Sequence, residues 1–77
     1  FAVSLKIEAW DRTGLLRDIA TVIAAQNTNL TGVEVQVYDD KTAVISAGVE
    51  VASLSDLSRL LEKIEQVKDV HTVARDT

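Results

Sequence analysis

The sequence predicts an α+β fold: a ferredoxin-like sandwich in which two helices cover one face of a four-stranded antiparallel sheet. Three observations lead there. Segments with strand and helix periodicity follow one another in the order βαββαβ. The long strand segments each have one apolar face that needs a cover, and both helical segments carry a matching apolar stripe. The chain has 77 residues, room for one domain and no second.

From Ala2 to Trp10 the residues alternate, with Val3, Leu5, Ile7 and Ala9 on one side and Ser4, Lys6, Glu8 and Trp10 on the other. Period two with one polar face is a half-buried strand. Asp11-Arg12-Thr13-Gly14 breaks it with short polar side chains and a glycine. Leu15, Leu16, Ile19, Val22 and Ile23 then form one helical stripe, leaving Arg17, Asp18, Thr21 and Gln26 to solvent. Asp11 or Thr13 can cap the helix start, and Asn27 or Asn29 can end it, since Asn tolerates the left-handed conformation.

Alternation resumes with Val33, Val35 and Val37 inward and Glu34, Gln36 and Tyr38 outward. After the turn Asp39-Asp40-Lys41, residues Ala43, Ile45, Ala47, Val49 and Val51 face inward, which makes the pair a hairpin. Gly48 marks a bulge or a close backbone approach. Ser53 and Asp56 have the spacing of a helix cap, although Glu or Gln is the usual partner. The second stripe is Leu54, Leu57, Leu60, Leu61, Ile64 and Val67, opposite a solvated Arg59, Glu62, Lys63 and Glu65. Val70 to Arg75 is a last short strand whose facing the pattern leaves open.

Composition narrows the function. Twelve acidic and eight basic residues give a net charge of −4, which disfavours nucleic-acid and polybasic membrane surfaces. Base stacking on the open sheet face is disfavoured as well, because only Trp10 can stack there and glutamates flank it. The absence of Cys excludes disulfides, thiolate metal sites and a cysteine nucleophile. One His excludes any site built on two imidazoles. We find no catalytic triad spacing and no Gly-rich phosphate loop, so no catalytic residue, metal ligand or cofactor site is expected. Asp39-Asp40 is read as a solvated turn, and His71 and Trp10 as surface or packing residues. No apolar run reaches the roughly 20 residues of a membrane span, so the expectation is a cytoplasmic protein without membrane contact. The chain begins at Phe1 and holds no Met, which leads us to expect a module excised from a longer protein. Only 4% of the chain is aromatic against 47% hydrophobic, so the core must be aliphatic.

The segment that rises above a bland domain is Asp11-Arg12-Thr13-Gly14-Leu15-Leu16. A glycine there permits a sharp turn and close approach of a ligand to backbone amides. The helix behind it presents its N-terminal amides to the same place, which suits a small carboxylate.

The run from Asp11 to Ile19 resembles the signature of ACT domains, small regulatory modules that bind amino acids. Asn29-Leu30, the strand ending Gly48-Val49-Glu50-Val51, and Val70 to Arg75 match as well, so the similarity covers the chain. Leu57, Leu60, Leu61, Lys63 and Ile64 complete a pattern most similar to the C-terminal ACT domain of RelA/SpoT-type (p)ppGpp synthetase/hydrolases. Thr13 departs from the Pro that many ACT domains carry. The resemblance implies a single domain over residues 1–77, taken from the C-terminal regulatory region of such an enzyme. It would sense amino-acid status and relay it to N-terminal catalytic domains. It further implies a ligand site at Asp11, Arg12, Thr13, Gly14 and Leu15, with Asn29 as a second wall. A homodimer would form by sheet-edge pairing at Val33, Val35, Val37 and Tyr38. Arg12 either lines that site or makes a surface ion pair. The partners implied are a small amino-acid ligand, the parent's other domains and, through the parent, the ribosome. Two alternatives stay open: a ribosome- or domain-docking module without ligand, and an ACT domain of an amino-acid biosynthetic enzyme.

Overall fold

The computed structural model describes residues 1–76; Thr77, the last residue of the expected domain, lies outside the described residues. Its elements are β1 (Ala2–Trp10), α1 (Leu15–Ala25), β2 (Asn29–Val37), β3 (Thr42–Glu50), α2 (Leu54–Glu65) and β4 (Val70–Arg75). The sheet runs β2-β3-β1-β4, all neighbours antiparallel, so the predicted βαββαβ sandwich is the observed one. β1 and β3 occupy the centre, and each buries every second residue. Val3, Leu5, Ile7 and Ala9 are buried, as are Ala43, Ile45, Ala47 and Val49 on the same face. Ile19 and Ile23 of α1 and Leu57, Leu60 and Ile64 of α2 close over them. No aromatic ring enters this core; Phe1, Trp10 and Tyr38 are all exposed.

β2 departs from expectation. Val33, Val35 and Val37 pair with Ala47, Ile45 and Ala43, which puts them on the helix side of the sheet. Yet they are 41–50% exposed, not inward-packed residues. The reason is length and position. Eleven helical residues of α1 rise about 16 Å, whereas nine strand residues of β2 span about 30 Å. α1 therefore covers only part of an edge strand with nothing beyond it. Leu30 packs against the core, and the rest stands free. Leu16 and Leu54 likewise belong to the solvent side, at 41% and 58% exposure, and not to the apolar stripes assigned to them.

The turns are set by a few backbone positions. Gly14 caps α1 in the left-handed conformation, at φ 81°, without any side-chain hydrogen bond. Neither Asp11 nor Thr13 is the cap, because the glycine turn lets backbone groups do the work: Leu15 N–H donates to Arg12 C=O, and Asp18 N–H to Gly14 C=O. Asn27, at φ 56°, ends α1, and Asn29 opens β2. Ser53 Oγ accepts the Asp56 N–H at 3.2 Å, as the spacing predicted. Of the two readings of Gly48, the structure shows the bulge, and the close approach there is by a side chain and not by backbone. β2 bulges between Leu30 and Gly32 opposite it, and a Cβ on Gly48 would lie 2.7 Å from Thr31 Oγ1.

Candidate functional site

The loop from Asp11 to Gly14 is held between two other turns. At its start Trp10 N–H donates to Asp69 C=O, between α2 and β4, at 2.9 Å. Asp11 N–H donates to Lys41 C=O in the β2–β3 hairpin at 2.7 Å. Gly14 then reverses the chain into α1. A Cβ there would meet Arg17 Nη2 at 3.0 Å, the far end of a flexible side chain, so the backbone conformation is what demands glycine.

Arg12 is the organiser of this corner. Its Nη2 donates to Asp18 Oδ2 at 2.9 Å and to Lys68 C=O at 3.1 Å, and its Nη1 to Thr13 C=O at 3.2 Å. Nε lies 3.1 Å from Asp69 Oδ2, but its N–H is not aligned for a hydrogen bond. Of the two roles open to Arg12, the structure shows the ion pair, and a more connected one than a single surface contact. The guanidinium braces the β1–α1 loop against the α2–β4 turn. Asp69 sits at φ 73°, which Asp tolerates better than most residues, so this turn is itself a shaped one.

Asp18 reports on the brace. The Arg12 hydrogen bond, aided by the charges of Arg12 and Arg17, holds its carboxyl below the usual aspartate range. A depressed carboxyl pKa contributes stability that is present above the unfolded-state value and lost as pH falls through the folded-state one. Arg12→Gln should therefore return the Asp18 carboxyl, followed by carbon-detected NMR titration, towards an ordinary value. Asp40 is held low by hydrogen bonds from the Thr42 hydroxyl and amide and should not move, which makes it an internal control. A common shift of both would mean a general change in the fold.

The remaining expected site residues are placed as follows. Asp11 and Thr13 are exposed, and Gly14 is half-buried. Leu15 is buried in the core, and its N–H already donates to Arg12 C=O. Asn29 is exposed and pairs with Glu50, as Ala2 does from β1, whereas the loop follows Trp10 at the other end of the sheet. Eight strand steps, about 27 Å, separate those ends. Within one chain Asn29 and the Gly14 loop do not meet. The proposed edge residues Val33, Val35 and Val37 form an exposed row along β2, and Tyr38, just past its end, is exposed as well. Asp18, Lys68 and Asp69 were missed as parts of this corner, since no local pattern links Arg12 to a turn 56 residues away. On the open face Trp10 meets His71 edge-on, with ring centroids 4.9 Å apart. Among the described residues no group of three or more His, Cys, Asp or Glu could hold a metal ion.

Comparison with known proteins agrees with this geometry. The ACT domain family matches residues 1–75. The GTP pyrophosphokinase of Escherichia coli K12 is 39% identical over 72 residues, 91% of this chain and 10% of that protein. That of Streptomyces antibioticus is 31% identical over the whole chain and 9% of its own length. The chain thus spans about a tenth of the curated relatives it matches. The crystal structure of the ACT domain from GTP pyrophosphokinase of Chlorobium tepidum superposes with a TM-score of 0.84 at 25% identity, covering 97% of this chain and 96% of that one. The acetolactate synthase small subunit of Thermotoga maritima reaches the same TM-score at 12% identity, covering 97% of this chain and 47% of that one, a likeness of fold alone. With a βαββαβ sandwich, a Gly14 turn opening α1 and a family match over nearly its whole length, the chain belongs to the ACT domain family.

Proposed function

We propose that this domain is the regulatory module of a stringent-response GTP pyrophosphokinase, a (p)ppGpp synthetase/hydrolase of the bacterial cytoplasm. The observation that carries the reading is the 39% identity to such an enzyme across 91% of the chain. The domain sits in the C-terminal regulatory part of its parent, binds a small amino-acid effector and relays occupancy to N-terminal catalytic domains. It carries no cofactor and performs no chemistry. Its effector site is the Gly14 loop, where a left-handed turn opens α1 and the first-turn amides other than the already bonded Leu15 and Asp18 N–H groups are offered to a carboxylate. Arg12 shapes the loop by bracing it, which leaves the amides as the recognition groups.

Two copies complete the site. Antiparallel pairing of β2 with its copy sets the Asn29 end of one strand beside the Val37 end of the other. The Val37 end adjoins the hairpin that carries Lys41, whose carbonyl binds Asp11. A partner copy therefore brings Asn29 towards the loop from which it is separated in its own chain. An effector that favours one arrangement of the two copies over another then shifts the parent enzyme by that difference in affinity.

An NMR titration of the chain with the twenty amino acids tests this. Saturable amide shifts centred on Arg12 to Leu16 for one chemical class are expected. No shifts at millimolar ligand would instead favour a docking module working through the exposed Trp10–His71 pair.

A further inference from the structure

We infer that the domain has a second ligand site on its helix side, a groove between α1 and the end of α2 that takes a small carboxylate with an aliphatic tail. The groove is open to solvent and has a volume of about 540 Å³, within the size range of small-molecule sites. Val22 and Ala25 of α1 and Val67 after α2 supply its apolar surface. Arg12, Lys63 and Lys68 bring three of the chain's eight cations to it, and Asp18 is the one acid lining it among the described residues. Set against Asp18 and Asp69, which pair with Arg12, these cations leave a net charge of +1 on a chain of −4, a local reversal of sign that favours an anion.

The helix ends do not cancel this field. Both helices contribute C-terminal residues to the groove, and a C-terminus by itself favours cations. Three of the C-terminal carbonyls are engaged, which weakens that preference: Asn27 N–H donates to Ala24 C=O, Gln66 N–H to Lys63 C=O and Val67 N–H to Ile64 C=O. Arg12 is bound by Asp18 and Asp69, so the cations free to meet a ligand are the exposed Lys63 and Lys68. The apolar surface is three residues wide, which matches a short aliphatic tail and gives no row of pockets for a helical or extended peptide. No residue of β2 lines the site, and it needs no second copy. It shares Arg12 and Asp18 with the corner that braces the Gly14 loop, but its free cations and its apolar surface lie outside that loop.

Hexanoate, hexylammonium and hexanol each have six carbons in a straight chain and differ in charge, so amide-shift titrations with the three read the charge preference. Hexanoate should give saturable shifts at Thr21, Val22, Ala25, Gln66 and Val67, with hexanol weaker and hexylammonium weakest. Neutralising the two exposed lysines, Lys63→Gln and Lys68→Gln, should weaken hexanoate about fivefold each and leave hexanol unchanged. Gly14→Val, which is expected to silence the loop, should leave hexanoate binding in the groove intact. Equal binding of hexanoate and hexylammonium, or hexanoate affinity indifferent to both lysine variants, would overturn the assignment. So would shifts that fall on the exposed Leu54 or Val35 instead of the groove.

Discussion

Gly14→Val should leave the domain folded, less stable by about 2 kcal/mol, and silent to any amino acid that the unaltered chain binds at this loop. The residue occupies φ 81°, where an L side chain crowds the following carbonyl at about 1–2 kcal/mol, and a β-branched one is worse still. The loss is backbone strain rather than a clash, because the Arg17 guanidinium that a Cβ would meet can swing away. A domain of this size has about 3–5 kcal/mol to lose, so the variant remains folded with a small margin. Relief of the strain means moving φ towards negative values. That move turns the Gly14 carbonyl, which accepts the Asp18 N–H, and redirects the first amides of α1. Urea denaturation reads the stability, and the amino-acid titration reads the response. Gly14→Asn separates the two effects, since Asn tolerates the left-handed region and should preserve binding. Undiminished ligand affinity in the valine variant would remove this loop from the site.

How much of this was legible in the sequence follows from what kind of interaction made each feature. β1 and β3 could be read directly because they lie at the centre of the sheet, where one face is wholly covered and every second residue must be apolar. Ser53 was legible because a cap is a contact three residues long. β2 shows the limit: the alternation of Val33, Val35 and Val37 fixed the face they occupy but not whether a helix reaches it. β4 shows another. Its register against β1 shifts between Glu8 and Ala9, so that Thr72 faces Glu8, Val70 faces Ala9, and His71 is the extra residue between them. A strand with a bulge in six residues has no steady period to read, which is why its facing stayed open. The loop at Gly14 was visible because a glycine between two periodic segments is a local signal. The brace around Arg12 was not, because Asp69 and Lys68 reach it only through the folded arrangement of β1, α1 and β4. The Lys63–Lys68 groove needed the same arrangement of α1 against the end of α2.

Val35→Lys should convert the edge-paired dimer proposed above into a monomer while barely changing the stability of the domain itself. Val35 is 45% exposed on an edge strand, and it pairs with Ile45 through the backbone, which a lysine leaves intact. Exposed substitutions of this kind change stability by within about 0.5 kcal/mol. Association is another matter. An edge strand offers a row of free backbone groups to a second strand, and its exposed valines would be covered by the partner. A lysine in the middle of that row must either lose its hydration or hold the strands apart, which is how natural edge strands are kept from pairing. Sedimentation equilibrium across the micromolar range reads the outcome: a dimer for the unaltered chain and a monomer for the variant, with matching urea midpoints at low concentration. The two proposals then become coupled. If the effector site is shared between copies through Asn29, the monomeric variant also loses amino-acid affinity, although its own Gly14 loop is untouched. A monomer that binds amino acids as well as the unaltered chain would place the whole site within one copy, and Asn29 would have no part in it. Hexanoate binding in the helix-side groove should be the same in both forms, because no residue of that groove lies on β2.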